Sequence, residues 1–333
     1  MRIRPRSTTA STPAASAASR PRSLSLSRRR ATAAVALALA GGLTSSAVLA
    51  APVAASAEEA SVVVAPASAD RVAAAAHWTP ERRAAALAAS PAVAGGSASS
   101  APATFSPESA SDAASDSTPV PHPDQPFVGV LFYVDGGRDR ACTASVVDTP
   151  DGDAIATAAH CLIDRRTHAA SALATFVPGA QGATAPHGIW PVRIAAVSSA
   201  WTTIGRAADD AGFSRVSGPA GEVLGAEVGA AEPVFGSTLV PATGLAPRLA
   251  ILGYPSPGSS TAVLEACAGR PQRDAGGQTS LPCALGTGAA GSPVLTAAGE
   301  QRAVVARPSA GRGVLLATWG AGAERALASL RGR

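Results

Sequence analysis

From Phe127 to the C-terminus, short apolar runs alternate with clusters of Gly, Pro and Asp. Val128–Val134, Thr143–Val147, Ile155–Ala158, Ile189–Val197, Leu249–Leu252, Ala262–Ala266, Pro293–Thr296, Ala303–Ala306 and Val314–Thr318 each read as a strand bounded by turn residues. Many short strands with regular punctuation predict an all-β sandwich or barrel. The last apolar stretch differs. Ala321–Leu330 is built of helix formers with Leu327 and Leu330 on one face, which predicts a C-terminal helix. No internal repeat is visible.

Upstream of Phe127 the pattern breaks down. Residues 58–124 are dominated by Ala, Ser, Pro and Thr, and Ser97–Pro123 holds almost no large apolar side chain. Such a composition cannot bury enough surface to offset chain entropy, so a flexible pro-segment or linker is expected. One island interrupts it, Trp78-Thr79-Pro80-Glu81-Arg82-Arg83 followed by an Ala-rich run. Thr79 is placed to N-cap a helix whose first residue is Pro80. That helix is either a local feature of a linker or an element that docks on the following domain.

The first 57 residues form a third region. Arg28, Arg29 and Arg30 precede an apolar stretch from Ala31 to about Leu43, and small residues follow at Ala50 and Ala57. A basic head, a short apolar centre and a small-residue cleavage site make an export signal. Gly41, Gly42, Thr44, Ser45 and Ser46 interrupt the stretch, so a membrane anchor is the weaker reading. Ser27-Arg28-Arg29 leaves a twin-Arg signal open.

Composition changes the picture mainly through charge. The chain has 333 residues, with 27 basic and 23 acidic side chains and a net charge of +4. Residues 1–50 contain eight Arg and no acid, which leaves −4 for the remainder. Positive charge confined to a signal cannot serve a nucleic-acid surface, which must lie on the folded domain. No nucleic-acid partner is therefore expected, nor a membrane partner once the signal is removed. A monomer is expected.

The four Cys all follow residue 141. In an exported chain an even count points to disulfides. The sequence-local pairs are Cys142–Cys161 and Cys267–Cys283, although four Cys allow three pairings. Neither C-x-x-C nor H-x-x-x-H spacing is present, so no metal and no other cofactor is expected.

Thr157-Ala158-Ala159-His160-Cys161 follows a predicted strand, and Cys142-Thr143-Ala144-Ser145-Val146-Val147 lies upstream. Together these resemble the trypsin-like (chymotrypsin-fold) serine peptidases, whose general-base His sits in this string. The resemblance implies His160 as the base. It also implies an Asp downstream at the start of a buried strand. Asp209-Asp210-Ala211-Gly212-Phe213 fits, with Asp210 as the orienting acid if Phe213 is the inward apolar residue, and Asp209 as the alternative.

The nucleophile segment of the family reads G-x-S-G-G-P or G-x-S-G-S-P. Here Gly288-Ala289-Ala290-Gly291-Ser292-Pro293 fits the frame, with Cys283 seven residues before position 290. The nucleophile position is thus occupied by Ala290, and a methyl group cannot attack a carbonyl. Gly288 and Ala290 would supply the backbone N–H groups of the oxyanion hole. Ser292 is the alternative nucleophile, two residues beyond the turn. Further on, Pro308 has no N–H for a substrate strand and Arg307 could occupy the cleft. Ala289 stands where animal trypsins keep the Asp that pairs with a freed N-terminus, so activation by that ion pair is not expected.

The resemblance extends to Trp78-Thr79-Pro80-Glu81-Arg82, similar to a motif in pro-segments of secreted actinobacterial peptidases of this type. Phe176-Val177-Pro178-Gly179, Gly188-Ile189-Trp190 and Leu252-Gly253-Tyr254-Pro255 resemble further landmarks of that group. The implied organisation is a signal (1–57), a flexible segment (58–124) and a peptidase-like domain (125–333) of two antiparallel six-stranded β-barrels with a C-terminal helix. Three functions follow from it. One is a secreted pseudo-peptidase that binds peptide or protein in the inter-barrel cleft. The others are an active endopeptidase using Ser292, and a structural extracellular protein with a vestigial cleft.

Overall fold

The structure, a computed structural model, describes residues 60–89, 118–122, 124–254, 263–309 and 313–333. The export signal lies outside the described residues, as do residues 90–117. The strands, in chain order, are β1 (Ser61–Val64), β2 (Val120–Pro121), β3 (Val128–Asp135), β4 (Arg138–Val146), β5 (Ala154–Thr157), β6 (Ala172–Pro178), β7 (Trp190–Ser198) and β8 (Gly212–Val216). They continue with β9 (Glu232–Pro233), β10 (Leu249–Gly253), β11 (Glu265–Gly269), β12 (Gln272–Arg273), β13 (Thr279–Leu281), β14 (Pro293–Leu295), β15 (Glu300–Pro308) and β16 (Val314–Thr318). The helices are α1 (Ser68–His77), α2 (Pro80–Ala89), α3 (Ala159–Leu162), α4 (Ser199–Ile204), α5 (Leu224–Val228) and α6 (Ala321–Ala328).

The first sheet has the order β1-β7-β6-β3-β4-β5-β8, and an additional β7–β8 pairing closes its last six strands into a barrel. Leu131, Val146, Ile155, Phe176 and Trp190 fill it, together with the Cys142–Cys161 disulfide. The second sheet runs β12-β13-β16-β15-β14-β10-β11-β2, with β9 against β15. It curls around Ile251, Val294, Val305, Leu316 and the Cys267–Cys283 disulfide. Among the described residues no pairing closes this second sheet, so it is a half-barrel rather than the expected six-stranded barrel. Helix α6 lies against the first barrel, with Leu327 and Leu330 in a cluster that includes Phe213 and Trp319. Phe213 is thus buried outside the first barrel's own core, its ring 5.2 Å from that of Trp319.

Strand β3 explains why the sequence shows a continuous apolar run there instead of an alternation. Leu131 and Tyr133 point into the barrel, while Val128, Val130 and Phe132 belong to a second apolar layer outside it. A strand covered on both faces needs apolar side chains on both. The outer layer is completed by Trp78, Ala86 and Leu87 from the N-terminal segment.

Within the 58–124 segment, expected to be flexible, residues 60–89 are structured. Residues 60–89 form β1, α1 and α2, and all three pack on the domain. Composition alone concealed this, because the contact rests on a few residues in an Ala-rich background. Trp78 is fully buried, and truncating a buried Trp costs about 3–5 kcal/mol. The helix expected at Pro80 is present, with the Thr79 hydroxyl 3.4 Å from the Arg82 N–H. The folded domain also begins before Gln125, since Val120 pairs with Ala266 and the His122 N–H donates to the Leu264 carbonyl at 2.8 Å.

Candidate active site

Strands β5 and β8 are paired so that Thr157 lies opposite Gly212. His160 follows the end of β5 in the short helix α3, and Asp210 precedes β8 at the end of a single 3₁₀ turn, Ala207–Asp209. The ladder therefore brings two residues 50 positions apart together at one rim of the barrel. The His160 ring nitrogen Nδ1 lies 2.8 Å from Asp210 Oδ2, and the His160 backbone N–H donates to Oδ1 at 3.0 Å. A further backbone bond, from Ala159 N–H to the Asp210 carbonyl at 3.2 Å, ties the two segments. Asp209 faces away. It accepts from the Arg206 Nε at 2.8 Å on the surface.

The His160 side chain is 40% exposed and that of Asp210 is 11%. Desolvation works against the imidazolium, but the charge and hydrogen bond of Asp210, aided by Asp135, outweigh it and a smaller opposing influence of Arg307. The result is a His160 pKa held above its usual 6.5. With Nδ1 turned to Asp210, Nε2 is the nitrogen left for an incoming group.

The 286–293 loop meets the first barrel from the other side. Ala290 is 5% exposed and belongs to the same buried cluster as Ala158, Ala159 and Cys161, the neighbours of His160. Its carbonyl accepts from the Thr143 N–H at 2.8 Å. The Thr143 hydroxyl donates to the Gly288 carbonyl at 2.9 Å and accepts from the Tyr254 N–H at 3.0 Å. The Thr157 hydroxyl donates to the Thr143 carbonyl at 2.7 Å. These threonines, which sequence reasoning did not single out, fix the loop to β4 and β5. Thr143 lies beside Cys142 and Thr157 opens the His160 string, so their proximity to the motif was the available signal.

The expectation for the oxyanion hole meets a different backbone. Thr287–Ala289 is a 3₁₀ turn in which the Ala290 N–H donates to the Thr287 carbonyl at 3.2 Å. That N–H is thus engaged within its own loop rather than presented to a ligand carbonyl. Gly288 is not among the glycines with positive φ. Ser292 is also placed against expectation for a nucleophile. It is fully buried, its hydroxyl has no hydrogen-bond partner, and it packs against Gly253 where a Cβ would collide with it. Arg307 is exposed on β15, and Pro308 sits opposite Val314 in the β15–β16 ladder.

Cys142, Cys161 and His160 cluster closely enough to suggest ligands, but both sulfurs are committed to a disulfide and offer no thiolate. Both pairings expected from sequence separation are present.

No family profile matches the chain, and no curated protein matches it. Solved structures do. The protease Anisep from Arthrobacter nicotinovorans is 23% identical, with a TM-score of 0.56 over 63% of this chain and 97% of its own. A thermostable serine protease, AL20, from an extremophilic microorganism is 22% identical, with a TM-score of 0.57 over 64% of this chain and 100% of its own. A Glu endopeptidase is 18% identical, with a TM-score of 0.51 over 63% and 92%. The fold is that of the trypsin-like serine peptidases.

Proposed function

We propose that the chain is an exported trypsin-like peptidase homologue that has lost hydrolysis and acts by holding a peptide or protein segment in its cleft. In this reading His160 stands at the position of the general base, Asp210 at that of the orienting acid, and Ala290 at that of the nucleophile. The observation that carries it is Ala290, a methyl group packed with Ala158, Ala159 and Cys161, the neighbours of His160, where a peptidase of this kind would need a serine. Losing the nucleophile of such a triad costs on the order of 10⁶ in kcat. That is about 8 kcal/mol of transition-state stabilisation.

The burial of Ser292 speaks against its use in place of Ala290, because a hydroxyl packed on Gly253 cannot approach a substrate carbonyl without rebuilding the loop. Export is supported by the Arg-rich N-terminus and by two disulfides, which persist in oxidising compartments. Among the described residues no helix is long and apolar enough to cross a membrane.

The test uses a fluorophosphonate probe on the wild-type protein, on Ala290→Ser and on His160→Ala. No labelling of the wild type is expected, with His160-dependent labelling appearing in Ala290→Ser. Wild-type labelling that disappears in His160→Ala would overturn the loss of catalysis. Binding is read separately, by enrichment from a peptide library. Recovery no better than background would leave a structural role as the better account.

A further inference from the structure

The N-terminal segment is joined to the first barrel by contacts of three kinds. The first is a strand pairing. Strand β6 pairs with β7 only at Thr175–Pro191 and Phe176–Trp190, while Ser61–Val64 pair with Ala195–Ser198 farther along β7. The Ser199 N–H adds a bond to the Ala60 carbonyl at 2.9 Å. Strand β1 thus supplies the partner that β6 does not provide to the far end of β7.

The second contact is a receptor for Trp78. Its indole N–H donates to the Leu173 carbonyl at 2.6 Å. Leu173 has φ of 52°, a left-handed conformation that is costly for a side chain of this size. It lies where the β3–β6 register shifts between Phe132 and Val134. The bulge presents the Leu173 carbonyl to the indole, and the Trp78 ring packs 5.3 Å from that of Phe132. Strain of this kind persists where the surroundings hold it, and the Trp78 indole is bonded to the carbonyl at that point.

The third contact is a buried cation. Arg83 is 5% exposed, and its guanidinium donates to the Ala183 carbonyl at 2.9 and 2.5 Å and to the Trp78 carbonyl at 2.5 Å. Desolvation depresses its pKa, the charge of Glu81 partly opposes this, and the carbonyl oxygens of Ala183 and Trp78 accept its hydrogens. Outside this core, His77 and Arg82 both reach Asp139. None of these contacts touches the candidate site. Among the described residues no hydrogen bond or ion pair joins 60–89 to His160, Asp210 or Ala290, and the His160 side chain stays 40% exposed with the segment in place.

We propose that residues 60–89 are a permanent clip of the first barrel, which stays bound if the chain between 89 and 118 is cut, and not an inhibitory plug whose release opens the cleft. The barrel offers this segment a β7 edge that β6 leaves free at 195–198, the strained Leu173 carbonyl and the Ala183 carbonyl oxygen. The inference does not depend on the state of position 290.

The experiment places a site-specific protease sequence between residues 89 and 118 of the full chain and cuts it. At about 1 µM protein, the N-terminal piece should co-elute with the barrel domain in gel filtration and native mass spectrometry. Amide exchange at residues 195–199 should stay as slow as in the uncut chain. Loss of the piece, with the remaining domain folded and its melting temperature unchanged, would overturn the proposal. Trp78→Phe keeps an aromatic ring but deletes the indole N–H. In the cut protein it should speed dissociation about tenfold, and an unchanged rate would show that Leu173 is no receptor. Modification of His160 by diethyl pyrocarbonate should proceed equally fast before and after cutting. Faster modification after cutting would favour the plug.

Discussion

Asp210 grips His160 at two points, accepting the backbone N–H at one carboxylate oxygen and facing the ring Nδ1 with the other. The pair fixes both the position and the orientation of the imidazole, and it raises the pKa of His160 above 6.5. A raised pKa on a base stabilises the fold below the unfolded-state value, and that stability is lost as pH rises through the folded value. Asp210→Asn should therefore lower the His160 pKa, read by NMR titration. It should also destabilise the protein more at about pH 5 than at about pH 9. Asp209→Asn removes only a surface pair with Arg206. It should change stability by less than about 1 kcal/mol and leave the His160 titration unmoved. If Asp209→Asn shifts that titration instead, the assignment of the acid is wrong.

Placing a serine at position 290 tests the loop as well as the pair. The Ala290 N–H is bonded to the Thr287 carbonyl, so a new hydroxyl would begin with one backbone donor turned inward. One oxyanion donor is worth about 10²–10³ in rate. Ala290→Ser should therefore label with a fluorophosphonate in a His160-dependent manner, but about 10²–10³ more slowly than an active peptidase of this fold. Labelling at the full rate would mean that the Thr287–Ala290 turn opens without cost.

Ser292 gives a sharper contrast. Its hydroxyl is buried and unpaired against Gly253, and an unpaired buried hydroxyl costs about 1–3 kcal/mol. Ser292→Ala should leave any residual hydrolysis unchanged and raise stability by about 0–2 kcal/mol in urea unfolding. Loss of hydrolysis in this variant, with the fold intact, would revive Ser292 as a nucleophile.

The parts of the fold that were legible in sequence are those in which the information is local. The strand and turn pattern located β3, β5, β7, β10, β14 and β16 to within a few residues. The separations of 19 and 16 residues between neighbouring Cys gave both disulfides. The proposed site is read from a string around His160 and a frame around Ala290, and the geometry adds that His160 and Asp210 are hydrogen-bonded. What escaped was non-local. Strand β1 is four residues of Ser and Val whose partner lies more than 130 positions away, and nothing in 60–89 announces Leu173 or Ala183 as a destination. The turned-in Ala290 N–H depends on the dihedrals of Thr287–Ala289, which the Gly and Ala of the frame permit but do not dictate. The expected strand at Ala262–Ala266 is displaced to Glu265–Gly269, where β11 aligns with both β10 and β2.

Gly291 provides a test of how firmly the two sheets fix the loop between them. Its φ is 85°, and a Cβ there would collide with the Thr143 carbonyl and the Thr157 hydroxyl and lie 3.0 Å from the Ala158 nitrogen. Its own N–H donates to the Val305 carbonyl at 2.7 Å. The backbone conformation costs about 1–2 kcal/mol for a residue with a side chain, and overpacking adds about 1–3 kcal/mol. Gly291→Ala should therefore destabilise the protein by about 2–5 kcal/mol in urea unfolding. Gly236→Ala is the control, with a φ of 69° but open space around the new Cβ. It should show only the backbone cost of about 1–2 kcal/mol. The difference between the two variants isolates the steric contact with Thr143 and Thr157, because the conformational cost is common to both. Adding Thr157→Ser to Gly291→Ala would not relieve it, since the colliding hydroxyl is retained. Equal losses for Gly291→Ala and Gly236→Ala would mean that the loop moves freely away from the first barrel, and that Ala290 is not held beside His160.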